Sequence, residues 1–177
     1  MASIFPDKIG SDVIERHTMA VIVDNEPGVL ARVVGLFSGR GYNIESLTVT
    51  TISEDEQQSR ISLVTSGTPM IIEQIKAQLH RLVPVSIVHD LTEEGPYIER
   101  EISLIKVAAK GEERRESLRI ADIFRANVAD TTTESFVFEV TGSKEKIDSF
   151  THLMRALGKV EVARSGAVAI ARGSEVL

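Results

Sequence analysis

The chain reads as an α+β protein built from two ferredoxin-like βαββαβ units in tandem. The apolar residues alternate with a period of two, switch to a helical period, and switch back in the order strand, helix, strand, strand, helix, strand. They do so twice, on either side of the break Thr92-Glu93-Glu94-Gly95-Pro96. With 177 residues, 42% of them hydrophobic, the chain can form two small cores. The expected layout is a polar arm over residues 1–16, a first unit over 17–91, a linker over 92–97 and a second unit over 98–177.

In the first unit Met19 to Val23 is a short apolar strand. Leu30, Val33, Val34 and Phe37 then recur at i, i+3, i+4 and i+7 as one helix face, stopped by Gly39 and Gly41. Leu47 and Val49 alternate with Ser46, Thr48 and Thr50, and Ile61 and Leu63 alternate with Arg60 and Ser62, giving two half-buried strands. The polar run from Ser53 to Gln58 is their hairpin loop. Thr68-Pro69 supplies a cap and a proline at the first helical position, before a face of Ile72, Ile75, Leu79 and Leu82. Val85, Ile87 and Leu91 form the closing strand.

In the second unit Ile98 to Ala109 is a long strand, and Leu118, Ala121 and Phe124 mark a helix that opens with the charged run Glu112 to Glu116, read as a solvated face. Ala126 to Asp130 is a short second strand. Phe136, Phe138 and Val140 alternate with Val137, Glu139 and Thr141 in a third. Ser143 precedes a helix carrying Ile147, Phe150, Met154 and Leu157, and a final strand covers Val160 to Ala171.

Composition excludes several functions. A net charge of −6 and a pI near 5.3, with neither half basic, leave no concentrated Lys and Arg surface for nucleic acid. The absence of cysteine removes a disulfide framework and a thiol nucleophile. Residues 1–16 are interrupted by Pro6, Asp7, Lys8, Asp12 and Glu15, unlike a secretion signal or membrane span, so the cytoplasm is the expected location. His17, His80, His89 and His152 show no metal-ligand spacing. Gly39-Arg40-Gly41 follows a helix and lacks the third glycine of a dinucleotide fingerprint, and the carboxylate pairs lie in polar runs. No catalytic residues and no metal are therefore expected.

The informative segment is Asp24-Asn25-Glu26-Pro27-Gly28, between a strand and a helix. A helix start offers unpaired N–H groups and partial positive charge, so a carboxylate can dock there without a cationic side chain. Glycine just inside a helix costs roughly 1 kcal/mol relative to alanine, which suggests close approach of a ligand to the backbone. A plain helix-entry loop is the other reading, and Asn43 after Gly41-Tyr42 can equally be a residue tolerating a left-handed turn.

These residues, with Val34-Gly35-Leu36-Phe37-Ser38 and Gly41-Tyr42-Asn43-Ile44-Glu45-Ser46-Leu47, resemble the small regulatory subunit of acetolactate synthase (acetohydroxyacid synthase) and its amino-terminal ACT domain. Ser59-Arg60, the run from Ile75 to Val83, Glu99-Arg100-Glu101 and Val162-Ala163-Arg164-Ser165-Gly166 extend the match over nearly the whole chain. Only the arm before about Arg16 departs from it. The resemblance implies a non-catalytic subunit that activates a large catalytic partner and confers feedback inhibition by valine in branched-chain amino-acid synthesis. Thiamine diphosphate, magnesium and FAD would sit on that partner and no cofactor on this chain. It further implies a homodimer through ACT domains with valine at the interface: Asn25, Gly28, Val29 and Leu30 of one chain hold the carboxylate, while Asn43 and Ile44 of the partner chain close the site. A stand-alone amino-acid sensor acting on transcription or on another enzyme is the alternative, though no DNA-reading helix is evident.

Overall fold

The computed structural model describes residues 13–53, 55 and 57–176. The expected arm therefore lies outside the described residues up to Asp12, as do Glu54 and Glu56 of the hairpin loop. The chain divides into two compact units, Met1–Pro96 and Tyr97–Leu177.

The first unit runs β1 (Glu15–Asp24), α1 (Val29–Arg40), β2 (Ser46–Ser53), β3 (Gln58–Gly67), α2 (Pro69–Leu79), β4 (Val85–Asp90) and a single helical turn, α3 (Leu91–Glu94). Its antiparallel sheet has the order β2-β3-β1-β4. Alternate residues of the central strand, Met19, Val21 and Val23, join Ile61 and Leu63 of β3 in a core covered by α1 and α2. The Thr68 hydroxyl accepts from the Ile71 N–H and Pro69 opens α2, as the capping pattern predicts.

Four expectations need correction. The buried stripe of α1 is Val29, Val33, Leu36 and Phe37, while Leu30 and Val34 are each 39% exposed. The pairs Val29-Leu30 and Val33-Val34 give this helix two adjacent apolar stripes, and only one can face the sheet. Gly39 lies inside α1, whereas Gly41, with φ 68, ends it. In β4 the residues turned to the core are Val85 and Val88, and Ile87 points away, because the register with β1 shifts between Ile22 and Val23. Leu91 belongs to α3: the Asp90 carboxyl accepts from the Thr92 N–H and turns the expected strand end and linker into a capped helical turn.

The second unit runs β5 (Tyr97–Ala108), α4 (Gly111–Phe124), β6 (Asn127–Thr131), β7 (Ser135–Gly142), α5 (Lys144–Arg155), β8 (Lys159–Arg164) and β9 (Val168–Ala171). Its order β6-β7-β5-β8 repeats that of the first unit strand for strand. Phe138 and Phe150 meet edge to face at 5.8 Å within a core that includes Ile105, Val107 and Met154. The buried stripe of α4 is Ser117, Ile120 and Ala121, with Leu118 turned outward. Its charged run is not wholly solvated: Arg114 lies 3.7 Å over the Phe136 ring and donates to the Ser135 carbonyl.

The single final strand expected over Val160 to Ala171 is two strands. Gly166, at φ 82, breaks it, and both pieces pair with β5, β8 along Ser103–Ala108 and β9 along Tyr97–Arg100. Ser165 stitches the break to β5: its N–H donates to the Ile102 carbonyl and its hydroxyl accepts from the Ile102 N–H. Beside it Arg164 donates to the buried Glu101 carboxyl and to Asp148. Burial opposes the Arg164 charge, but those two carboxylates hold its guanidinium above the usual value. The two sequence runs around Glu101 and Arg164 are thus one ion pair in space.

Candidate functional site

The loop leaving β1 is fixed from both sides. Asp24 N–H donates to the Pro84 carbonyl at 2.8 Å and Asn25 N–H to the Gln57 carbonyl at 2.6 Å. Residues Asn25 to Gly28 are exposed, and Val29 drops into the core as the first anchor of α1. Gly28 is the N-cap, at φ 85 and ψ 0, and no side chain caps the helix. That left-handed φ is itself a reason for glycine. Crowding is not a second reason, because a Cβ built on Gly28 meets nothing within 4 Å and the helix start stands open.

Val29 N–H is bonded to the Glu26 carbonyl at 3.2 Å, whereas the amides of Leu30 and Ala31 have no acceptor among the described residues. The Asn25 carboxamide is likewise unengaged there. Two amides at the positive end of a helix, beside an open glycine and an amide side chain, are donors of the kind that a carboxylate accepts from. Leu30, exposed at its edge, adds apolar surface beside them.

Asn43 and Ile44 are not part of this cluster. They follow the far end of α1, a 12-residue helix about 18 Å long. Asn43 is exposed and has no positive φ, so a left-handed turn does not explain it; its carbonyl accepts from the Thr65 hydroxyl at 2.6 Å. Ile44 is partly buried against the core. One chain does not bring both halves of the expected site together.

A second cluster escapes sequence reasoning. His17, at the start of β1, is 4% exposed and its Nδ1 lies 2.7 Å from Oδ2 of the equally buried Asp90. A carboxylate only accepts, so Nδ1 carries the hydrogen. Lys76 of α2 reaches the same Asp90 oxygen at 3.9 Å and Glu93 at 2.6 Å, and it also pairs with Glu73. Partial burial works against the Lys76 charge, but the hydrogen bonds to Glu73 and Glu93 outweigh it and hold its pKa above the usual lysine value. Ligand atoms of His17, Asp90 and Glu93 lie within 4.8 Å of one another, a spacing that a metal could use. The Lys76 ammonium already supplies the cation there, so the cluster reads as a structural clamp holding α2 and α3 to the sheet. His17 and Asp90 stand 73 positions apart, and the legible signal was local: Asp90 with Glu93 three residues on is a capping pattern.

Two tandem ferredoxin-like units, the first presenting an uncapped, glycine-led helix start beside its central strand, define a protein of the ACT-containing class. Residues 19–86 match the family described as AHAS small subunit-like ACT domain, and residues 100–173 match the small subunit of acetolactate synthase. The chain belongs to the acetolactate synthase small-subunit family. It is 46% identical over 160 residues to the "Probable acetolactate synthase small subunit" of Archaeoglobus fulgidus, covering 90% of this chain and 99% of that one. It is 44% identical over 163 residues to the isozyme 3 small subunit of Salmonella typhimurium, covering 92% and 99%. The crystal structure of the Thermotoga maritima acetolactate synthase small subunit superposes with a TM-score of 0.79 at 36% identity, covering 91% of this chain and 99% of that one. Among the described residues no helix is long and apolar enough to cross a membrane.

Proposed function

We propose that this chain is the regulatory subunit of a cytoplasmic acetolactate synthase: without catalytic residues of its own, it activates the thiamine-diphosphate-dependent large subunit and makes that subunit sensitive to valine. The family match through both units supports the partner, and the open helix start at Gly28 supports the effector site. Thiamine diphosphate, magnesium and FAD belong to the large subunit in this reading.

Valine is held between two first units paired side by side. Its carboxylate takes the Leu30 and Ala31 amides and Asn25, with Gly28 giving access and Leu30 shaping the wall; Val29, buried in the core, only anchors the helix start. Asn43 and Ile44 come from the second chain, in keeping with their separation along α1. The exposed Leu30 and Val34 on α1, with Val49 and Ile52 on the outer strand β2, supply apolar surface for that pairing. A ligand shared by two chains binds only their paired state and therefore stabilises it. Inhibition follows if valine favours a low-activity arrangement of the complex, with a coupling of about 1–3 kcal/mol.

Asn43→Ala provides the test on this chain alone. Loss of an interfacial polar partner is expected to weaken valine binding, followed by calorimetry, by about 1–3 kcal/mol, and to reduce the valine-dependent gain in dimer measured by sedimentation. A titration and a dimer fraction identical to those of the parent would remove Asn43 and the shared site.

A further inference from the structure

A groove of about 1080 Å³ opens at one end of the second unit, where the β5–α4 loop, the β6–β7 turn and the α5–β8 turn converge. This end is the counterpart of the effector loop, since β5 and α4 hold the places in the second unit that β1 and α1 hold in the first. The valine reading assigns nothing to it.

Its electrostatics run against those of the chain. In a protein of net charge −6, the groove is lined by Lys106, Lys110, Arg155 and Lys159 against only Glu113 and Glu134. Lys106 pairs with Glu161 at 3.0 Å and Lys110 with Glu134 at 2.6 Å. Arg155 and Lys159 have no carboxylate partner among the described residues, although acidic side chains outnumber basic ones in the chain. Two unpaired cations gathered on one concave wall raise the local potential for an anion.

The walls are fixed in position. Ala109 N–H donates to the Glu134 carbonyl at 3.1 Å, tying the β5 end to the β6–β7 turn. Gly158 packs so tightly on the same end that a Cβ there would lie 2.2 Å from the Ala108 carbonyl oxygen, which locks the turn carrying Lys159. Neutral donors complete the lining: the Thr133 hydroxyl has no partner among the described residues, and α4 begins at the groove without a side-chain cap. A preformed concavity with a guanidinium, an ammonium and a hydroxyl donor suits a tetrahedral oxyanion, with the guanidinium able to engage two of its oxygens.

We propose that this groove is a second ligand site, taking a small phosphate-bearing anion held by Arg155 and Lys159. It is independent of the effector site, and its test does not use valine. The isotope-labelled full chain is titrated with pyrophosphate at constant ionic strength while the backbone amide resonances are followed, with malonate as the carboxylate probe and chloride as the salt probe. Saturable shifts confined to residues 109–113, 132–135 and 155–159 are expected with pyrophosphate. In R155A/K159A the affinity should fall about tenfold or more, the size of a lost charge-assisted contact, with resonances elsewhere unmoved; the charge-preserving R155K/K159R should restore most of it. Non-saturating shifts that chloride reproduces, tighter binding of malonate than of pyrophosphate, or an unchanged titration in R155A/K159A would each overturn the assignment.

Discussion

Gly28→Asp should abolish valine inhibition of the reconstituted complex while leaving activation of the large subunit largely intact. The variant places a carboxylate at the N-cap of α1, where the effector's own carboxylate would bind. Space is available, since nothing lies within 4 Å of a Cβ there, and aspartate is among the residues that tolerate a left-handed φ. Like charges forced together cost several kcal/mol, so apparent valine affinity should fall by about a hundredfold or more. Gly28→Ala separates backbone from charge: it meets the same positive φ, costs about 1–2 kcal/mol in strain, and should retain much of the response. Steady-state acetolactate formation over a valine series reads both variants. Inhibition by valine in Gly28→Asp at parental concentrations would exclude the helix start as the effector site.

Asp90→Ala should loosen the first unit selectively. It strands the His17 ring nitrogen in a site 4% exposed, removes the cap of α3 and takes one carboxylate from Lys76. An unsatisfied buried polar group costs about 1–3 kcal/mol and a lost N-cap about 1 kcal/mol, a large part of the stability of a small unit. Asp90→Asn keeps an acceptor for both contacts and should lose less. Amide hydrogen exchange measures this locally: β1 and β4 should exchange faster in Asp90→Ala while β5 and β7 serve as the reference. Unchanged protection of β1 would show that the clamp contributes nothing. The clamp also carries a pH dependence. Because the folded pKa of Lys76 is raised, its stabilising contribution is full below the ordinary lysine value and is lost as pH rises through the raised one.

The elements that could be read from the sequence are those whose pattern leaves one solution. Strict alternation in β7 and the Thr68-Pro69 and Ser143 caps need no tertiary information, whereas β3, expected to be half-buried, is buried on both faces from Ile61 to Thr65. Where two solutions compete, packing decides. The neighbouring pairs on α1 allow either apolar stripe inward, and the sheet selects Val29 and Leu36 over Leu30 and Val34. Leu91 continues the hydrophobic pattern of β4, but the Asp90 cap ends the strand first. In the run from Val160 to Ala171 the break at Gly166 was marked by its glycine, yet the flanking valines and alanines disguise it. The helix start at Gly28 stood out in the sequence because glycine there needs a reason, and its left-handed φ supplies one whatever binds. Asn43 and Ile44 entered through the family resemblance alone, and the fold places them beyond the far end of α1 from Gly28. The His17–Asp90 clamp joins residues 73 positions apart and could not be read locally.

The decisive measurement is acetolactate formation by the large subunit from the same genome, assayed alone, with this chain, and with this chain plus valine. A higher rate on adding the chain, followed by its suppression with valine, is the expected outcome. A rate unaffected by the chain, or raised by it but indifferent to valine, would contradict the regulatory-subunit reading and its effector respectively.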